Sequence, residues 1–291
     1  MTKPLFKASV AELGSIQHFI QSALREDVGE GDHTSLACIK AGVSGKARLL
    51  VKEKGILAGT ELALLIFGEV DKNLTVRLLK KDGDAIQAGD IALEVSGDEQ
   101  SILKAERLVL NCMQRMSGIA TLTHDYVTRI SGTRARVLDT RKTTPGMRML
   151  EKWAVRIGGG LNHRMGLYDM ILIKDNHVDY AGGIRNAILT ANEYLQKIGK
   201  NLPVEIEVRN FKELEDVLET GKVQRIMLDN FNPEDLNAAI KRIGGAFETE
   251  ASGGITLSSI RSYAETGVDF ISVGALTHSV KSLDLSLKAI K

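Results

Sequence analysis

At 291 residues, 43% hydrophobic and 26% charged, the chain is long enough for one large or two ordinary domains and too apolar to be globally disordered. Its formal net charge of +1 excludes a general attraction to nucleic acid or anionic membranes, so any anion binding must be local. The two cysteines, Cys38 and Cys112, have no metal-ligand spacing and read as reduced, buried thiols of a cytoplasmic protein.

Between Met1 and Asp32 no apolar stretch has signal-peptide length, and the longest apolar run, Leu62 to Phe67, is far too short to span a membrane. Apolar residues at helical spacing (Val10, Leu13, Ile16, Phe19, Ile20, Ala23, Leu24) predict an amphipathic helix from Ser9 to Arg25. Strand-like pieces follow at Gly45 to Lys52, Leu74 to Leu79 and Ile91 to Val95, punctuated by Gly59, Gly83 and Gly89. The stretch Gly83 to Val95 resembles the hammerhead turn of biotinyl and lipoyl carriers. It lacks the modifiable lysine at the tip, so it reads as a structural turn. Helical spacing returns from Ile102 to about Ile130. The expectation is a small α+β domain over residues 1–115, with the long helix as its exit.

From residue 116 to 291 the rhythm is βα. Strands are predicted at Arg136–Leu138, Met170–Ile173, Val204–Val208, Arg225–Leu228, Phe247–Thr249 and Phe270–Val273. Asn232 before Pro233 is a helix N-cap with proline at the first position, and Gly221, Gly244 and Gly267 stand where helices stop. Glu207, Asp229, Ser252 and Gly274 lie 22, 23 and 22 residues apart, each at or just after a predicted strand end. Regular units of this size favour an α/β barrel, with the chemistry at the C-terminal ends of its strands. Only six strands are visible, so the barrel is expected to be incomplete.

Charge is densest from Arg134 to Arg164, where eight basic residues face two acids, Asp139 and Glu151, a local excess of +6. Arg148, Lys152 and Arg156, at four-residue spacing, read as a solvated helix face. Arg141-Lys142 follow a strand end and His163-Arg164 follow the triplet Gly158-Gly159-Gly160, which suits close approach to a ligand's carboxylates or phosphates. Glu207 and Asp229 could hold Mg²⁺ or sugar hydroxyls. Glu205 competes, but on a barrel strand it lies one layer deeper, which favours Glu207. Ser252-Gly253-Gly254, leading to a helix, and Gly274-Ala275 expose backbone N–H groups suited to a phosphate.

Taken together, Asp139-Thr140-Arg141-Lys142-Thr143-Thr144-Pro145-Gly146, Gly158 to Arg164 and Leu172-Ile173-Lys174-Asp175-Asn176-His177 resemble the quinolinate phosphoribosyltransferase family. The match continues through Glu205 to Val208, Met227 to Asn230, Ala251 to Ile255 and Ser272 to Leu276, and in the first half through Ala105-Glu106-Arg107 and Ser117 to Thr121. The resemblance implies an N-terminal α+β sandwich domain followed by an incomplete, irregular α/β barrel, with the C-terminal segment returning to the first domain. It implies a cytoplasmic homodimer in which Arg107 reaches the partner's site. Arg141, Lys142, His163 and Arg164 would bind the two carboxylates of quinolinate, beside Thr140. Lys142 and Lys174 would serve phosphoribosyl pyrophosphate, with Glu207 and Asp229 on ribose and Mg²⁺, directly or through water. Ser252, Gly253, Gly254, Gly274, Ala275 and His278 would hold the 5′-phosphate. The implied reaction gives nicotinate mononucleotide, pyrophosphate and carbon dioxide, with no organic cofactor. The rival readings are a related phosphoribosyltransferase for another pyridine or molybdenum-linked substrate, and a non-catalytic phosphosugar-binding barrel.

Overall fold

The computed structural model describes residues 10–290, with side chains from residue 14 onward. Ser9, where the sequence starts the first helix, and the side chains of Val10 and Leu13 on its apolar face lie outside the described residues. Contacts divide the chain into two compact units. One runs to His124 and adds Thr143–Gly159 and Ser279–Lys291; the other comprises Asp125–Lys142 and Gly160–His278.

The first unit contains α1 (Val10–Val28), α2 (His33–Cys38), β1 (Ser44–Val51), β2 (Gly55–Ile56), α3 (Thr60–Val70), β3 (Thr75–Leu78), β4 (Ala85–Ile86) and β5 (Ile91–Asp98). The long helix α4 (Glu99–Arg129) belongs to it as far as His124. Strand β1 alternates as the pleat requires: Ala47, Leu49 and Val51 are buried, while Arg48 joins Arg77 of β3 around Glu94 of β5 on the other face. Helix α3 is absent from the sequence reading, because Leu62 to Phe67 is apolar without a helical period. Its start is capped from a distance: the buried Asp82 accepts from both the backbone N–H and the hydroxyl of Thr60, each at 2.8 Å. The small residues of Ser117 to Thr121 admit neighbouring backbone. Ser117 Oγ accepts from the N–H of Ala58 and Thr121 Oγ1 from that of Ile56, and a Cβ on Gly118 would fall 2.2 Å from the Lys281 carbonyl.

Two expectations for this unit fail. Cys38 is exposed, because α2 is a single short turn capped by Asp32 with only Ser35 buried; Cys112 alone is a buried thiol, its pKa pushed up to about 12 by burial. In α5 (Arg148–Ile157) Lys152 is 1% exposed rather than solvated. Every residue from Leu150 to Val155 is buried, so that helix has no continuous wet face.

The second unit holds β6 (Arg136–Leu138), β7 (Ile171–Ile173), α6 (Asp175–Ala181), α7 (Ile184–Ile198), β8 (Val204–Val208), α8 (Phe211–Thr220), β9 (Arg225–Asp229), α9 (Pro233–Ile243), β10 (Glu248–Ser252), α10 (Ile260–Ala264), β11 (Phe270–Ser272) and α11 (Ala275–His278). All its paired strands are parallel, in the order β6-β11-β10-β9-β8-β7. The consecutive strands β6 and β7 end up at opposite edges, and among the described residues no ladder joins them. This is an incomplete α/β barrel. Asn210 and Asn232 cap α8 and α9 through their side chains, and Gly182, Gly199 and Gly244 take left-handed conformations that end α6, α7 and α9. The last strand, β12 (Leu285–Ile290), returns to the first unit and completes the antiparallel sheet β12-β1-β5-β3.

Register decides what one sheet face carries. Glu207, Met227 and Glu250 are neighbours across β8, β9 and β10, and Glu205, Arg225 and Glu248 form the layer below. Of the intervening residues, Ile206, Ile226, Leu228 and Ala251 are apolar and buried, and the buried Thr249 is satisfied by Asp269. One face therefore holds charge while the other packs as ordinary core.

Candidate active site

The C-terminal ends of these strands surround a cavity of about 620 Å³. Of the residues singled out from sequence, Thr140, Arg141, Lys142, His163, Arg164, Lys174, Asp229, Ser252, Gly253, Gly254, Gly274, Ala275 and His278 all line it. Glu207 does not line it, but its Oε2 lies 2.6 Å from Nζ of Lys174, which does. Arg107, exposed on α4 in the other unit, has no ion-pair partner among the described residues.

The basic side of the cavity is built on β6 and the loop before β7. Asp139, at the end of β6, is fully buried; its carboxylate accepts from the backbone of His163 (2.9 Å) and the side chain of Asn162 (2.6 Å). Arg164 donates to the Met170 carbonyl at 3.3 Å. Burial, then the nearby Arg141 guanidinium, hold Arg164 below its usual pKa range. Among the described residues no carboxylate pairs with Arg141 or Lys142. These cations suit an anionic ligand.

The acidic side is pre-set by hydrogen bonds. Asp229 accepts from the Ser252 hydroxyl and, at 2.6 Å, from the Asn230 side chain. Asn230 sits at φ 57°, a left-handed conformation unusual outside glycine, and its backbone N–H donates to the Ser252 carbonyl. A Cβ on Gly253 would fall 2.2 Å from Asn230 Oδ1, so only glycine allows this approach. At Gly274 a Cβ would crowd both His278 and the stem of Lys142 at 3.1 Å. The expected helix behind Ser252-Gly253-Gly254 begins only at Ile260, after a turn in which Thr256 and Ser259 bond each other. The loop's own N–H groups, not a helix end, are what it presents to an anion.

At the floor of the cavity, which His163 and Glu250 both line, lies a buried polar cluster. Nε2 of His163 is 3.1 Å from Oε2 of Glu205 and 3.6 Å from Oε2 of Glu250, and both acids are fully buried. Arg225 reaches Glu250 at 3.2 Å, Glu205 at 3.9 Å and Glu248 at 3.0 Å, with its guanidinium 4.1 Å over the Phe270 ring. Burial raises the pKa of Glu205 to about 7 and, with the adjacent Glu205 charge, that of Glu250 to about 8. Glu250, Asp139 and Asn230 were not singled out from sequence. The alternation that relates Glu205 to Glu207 also relates Glu250 to Ser252, and that signal was available.

A second cavity, about 820 Å³, opens at the other end of the strands, but its charges already pair: Arg134 with Asp269 and Arg225 with Glu248. It presents no unmatched charge for a ligand.

The chain matches the model of the quinolinate phosphoribosyl transferase C-terminal domain over residues 119–288 and that of the N-terminal domain over residues 32–117. It is 48% identical over 284 residues to the chloroplastic, carboxylating nicotinate-nucleotide pyrophosphorylase of Arabidopsis thaliana, covering 92% of this chain and 81% of that one. It is 44% identical over 262 residues to a probable carboxylating nicotinate-nucleotide pyrophosphorylase of Bacillus subtilis, covering 90% and 89% of the two chains. The solved structure of the nicotinate-nucleotide pyrophosphorylase from Francisella tularensis superposes with a TM-score of 0.89 at 39% identity, covering 100% of both.

Proposed function

We infer that this chain, which belongs to the quinolinate phosphoribosyltransferase family, transfers the phosphoribosyl group of phosphoribosyl pyrophosphate to quinolinate. The products are nicotinate mononucleotide, pyrophosphate and carbon dioxide. The observation that carries this reading is one cavity with Arg141, Lys142 and Arg164 on one wall, Arg141 and Lys142 pairing with no carboxylate among the described residues, facing the Lys174–Glu207 pair and the Asp229–Ser252 loop. A dicarboxylate fits the first wall and a phosphosugar the second.

The roles follow from charge. Arg141, Lys142 and Arg164 orient the two carboxylates so that the pyridine nitrogen faces the anomeric carbon. The nitrogen forms a bond to that carbon as the bond to pyrophosphate breaks, and the ribose ring gains positive charge. Glu207 and Asp229 stabilise that charge and hold the ribose hydroxyls, while Lys174 and Lys142 offset the charge of the departing pyrophosphate. The oxygen donors of Glu207 and Asp229 fit Mg²⁺. Since their carboxylates already accept from Lys174, Ser252 and Asn230, contact through water or ribose suits them better than a closed protein shell. Mg²⁺, when bound with the pyrophosphate, supplies positive charge at the leaving group. The backbone at Ser252 to Gly254 and Gly274-Ala275, with His278, takes the 5′-phosphate. After transfer, the pyridinium nitrogen stabilises the electron pair left on the adjacent ring carbon as its carboxylate departs as carbon dioxide, and that carbon then takes a proton from water. No protein nucleophile is needed.

The working form is proposed to be a homodimer, with Arg107 of each subunit completing its partner's quinolinate site. The test is an assay for nicotinate mononucleotide from phosphoribosyl pyrophosphate with quinolinate or nicotinate. Turnover is expected with quinolinate and strong discrimination against nicotinate, because an acid with one carboxylate forgoes the charge-assisted bonds that Arg141, Lys142 and Arg164 offer to a second. Equal turnover of the two acids overturns the substrate assignment.

A further inference from the structure

The cluster of His163, Glu205, Glu250 and Arg225 is larger than the phosphoribosyl transfer requires, and its geometry constrains His163. The Nδ1 of its ring accepts the backbone N–H of Arg164 at 2.7 Å, so Nδ1 carries no proton. The ring proton is then on Nε2, which lies between the Oε2 atoms of Glu205 and Glu250. Turning the ring over would set C–H groups against an N–H donor and two carboxyl groups. A ring held this way has no N–H left to offer a substrate.

Its effect passes to Arg164. The loop carrying this arginine is held by Asp139 through Asn162 and the His163 backbone, by the Met170 carbonyl at the guanidinium, and by the His163 ring at the Arg164 N–H. Arg164 gains from such restraint because the Arg141 guanidinium repels it while Glu205 and Asp169 attract it, so its position between them must be fixed before an anion arrives. Glu250 in turn is kept in place by Arg225, whose side chain is only 14% exposed.

We propose that Glu250 is a positioning residue for quinolinate recognition: with Glu205 and Arg225 it fixes the His163 ring, and through that ring it holds Arg164 ready for the substrate's carboxylate. The proposal rests on the quinolinate reading, and it assigns His163 to support rather than to direct contact. Glu250 acts through protein groups and takes no part in bond making.

Two measurements on the full chain test it. The first needs no substrate: NMR of protein labelled with ¹⁵N-histidine, with the His163 signal among the six histidines assigned by its loss in His163→Gln. The neutral tautomer with the proton on Nε2 is expected; a proton on Nδ1 overturns the proposal, whatever the enzyme's substrate. The second is kinetic. Glu250→Ala, which removes the whole carboxyl group, is expected to raise KM for quinolinate about tenfold or more, the scale of one misaligned charge-assisted hydrogen bond, with KM for phosphoribosyl pyrophosphate little changed. The double variant His163→Gln/Glu250→Ala is expected to match His163→Gln alone, because the two act in series. An unchanged quinolinate KM, equal rises in both KM values, or multiplying effects in the double variant each overturn it. Absence of quinolinate turnover in the unaltered protein would instead count against the substrate reading, and the tautomer would still decide this one.

Discussion

Lys174 illustrates how much a single side chain is asked to do. Its Nζ is 2.6 Å from the nearly buried Glu207, yet 46% of its side chain remains exposed at the cavity rim. That combination suits a cation which leaves its pair to meet a pyrophosphate. Lys174→Ala is expected to lower kcat about 100-fold or more, the scale of losing one preorganised donor, while a cooperative thermal transition persists. Near-normal turnover would mean that the lysine only covers apolar surface with its stem. The buried pair beneath behaves differently. Because burial raises the pKa of Glu250 to about 8 from an ordinary 4.5, the folded chain holds a proton there that the unfolded chain has released. Folded-state proton excess means stability falls as pH rises between those values. Glu250→Gln should flatten the dependence of melting temperature on pH between about 5 and 8; an identical slope in the variant would show that the acid is not held protonated.

Among the elements, α3 and the Asp229–Gly254 region show two ways in which distant residues complete local structure. Gly59, which precedes α3, has no side chain to cap it, and Asp82 supplies the missing acceptor from 22 residues away. Asp82→Ala removes both bonds to Thr60 and should cost about 1–2 kcal/mol, read as a lower urea midpoint of the unfolding transition that includes this helix. An unchanged midpoint would show that water replaces the cap. At the site, the left-handed Asn230 and the side-chain-free Gly253 are a matched pair, each shaped by the other's approach. Neither is understood from its own strand alone.

For the molecule as a whole, the proposed shared site makes a prediction that no single subunit can. Arg107 stands exposed and without a carboxylate partner among the described residues. Arg107→Ala is expected to abolish quinolinate binding by withdrawing a donor from the partner's cavity. Mixing it with Lys174→Ala then places both lesions in one site of a mixed dimer and leaves the other intact. With random exchange about half the dimers are mixed, so about a quarter of the unaltered activity should return, as two-fold symmetry requires. If mass measurement shows exchange and no activity returns, Arg107 acts within its own subunit.

By itself the sequence determined the elements whose signals are local. The Asn232-Pro233 helix start, the stops at Gly221 and Gly244 (though not at Gly267, since α10 already ends at Ala264) and the six barrel strands depend on neighbours three or four residues away, and the 22- and 23-residue spacing put Glu207, Asp229, Ser252 and Gly274 at strand ends. The family motifs, too, are contiguous stretches. What only the tertiary structure decided is which charges are buried and beside what. Nothing around Lys152 or Cys38 in the chain tells that the first is enclosed and the second exposed. Glu250 meets His163 and Arg225 only because β10 pairs with β9 and the loop after β6 folds over the same face. A side chain's direction follows from its own strand, whereas its electrostatic surroundings follow from strand order and register, which are set by contacts far apart in the chain.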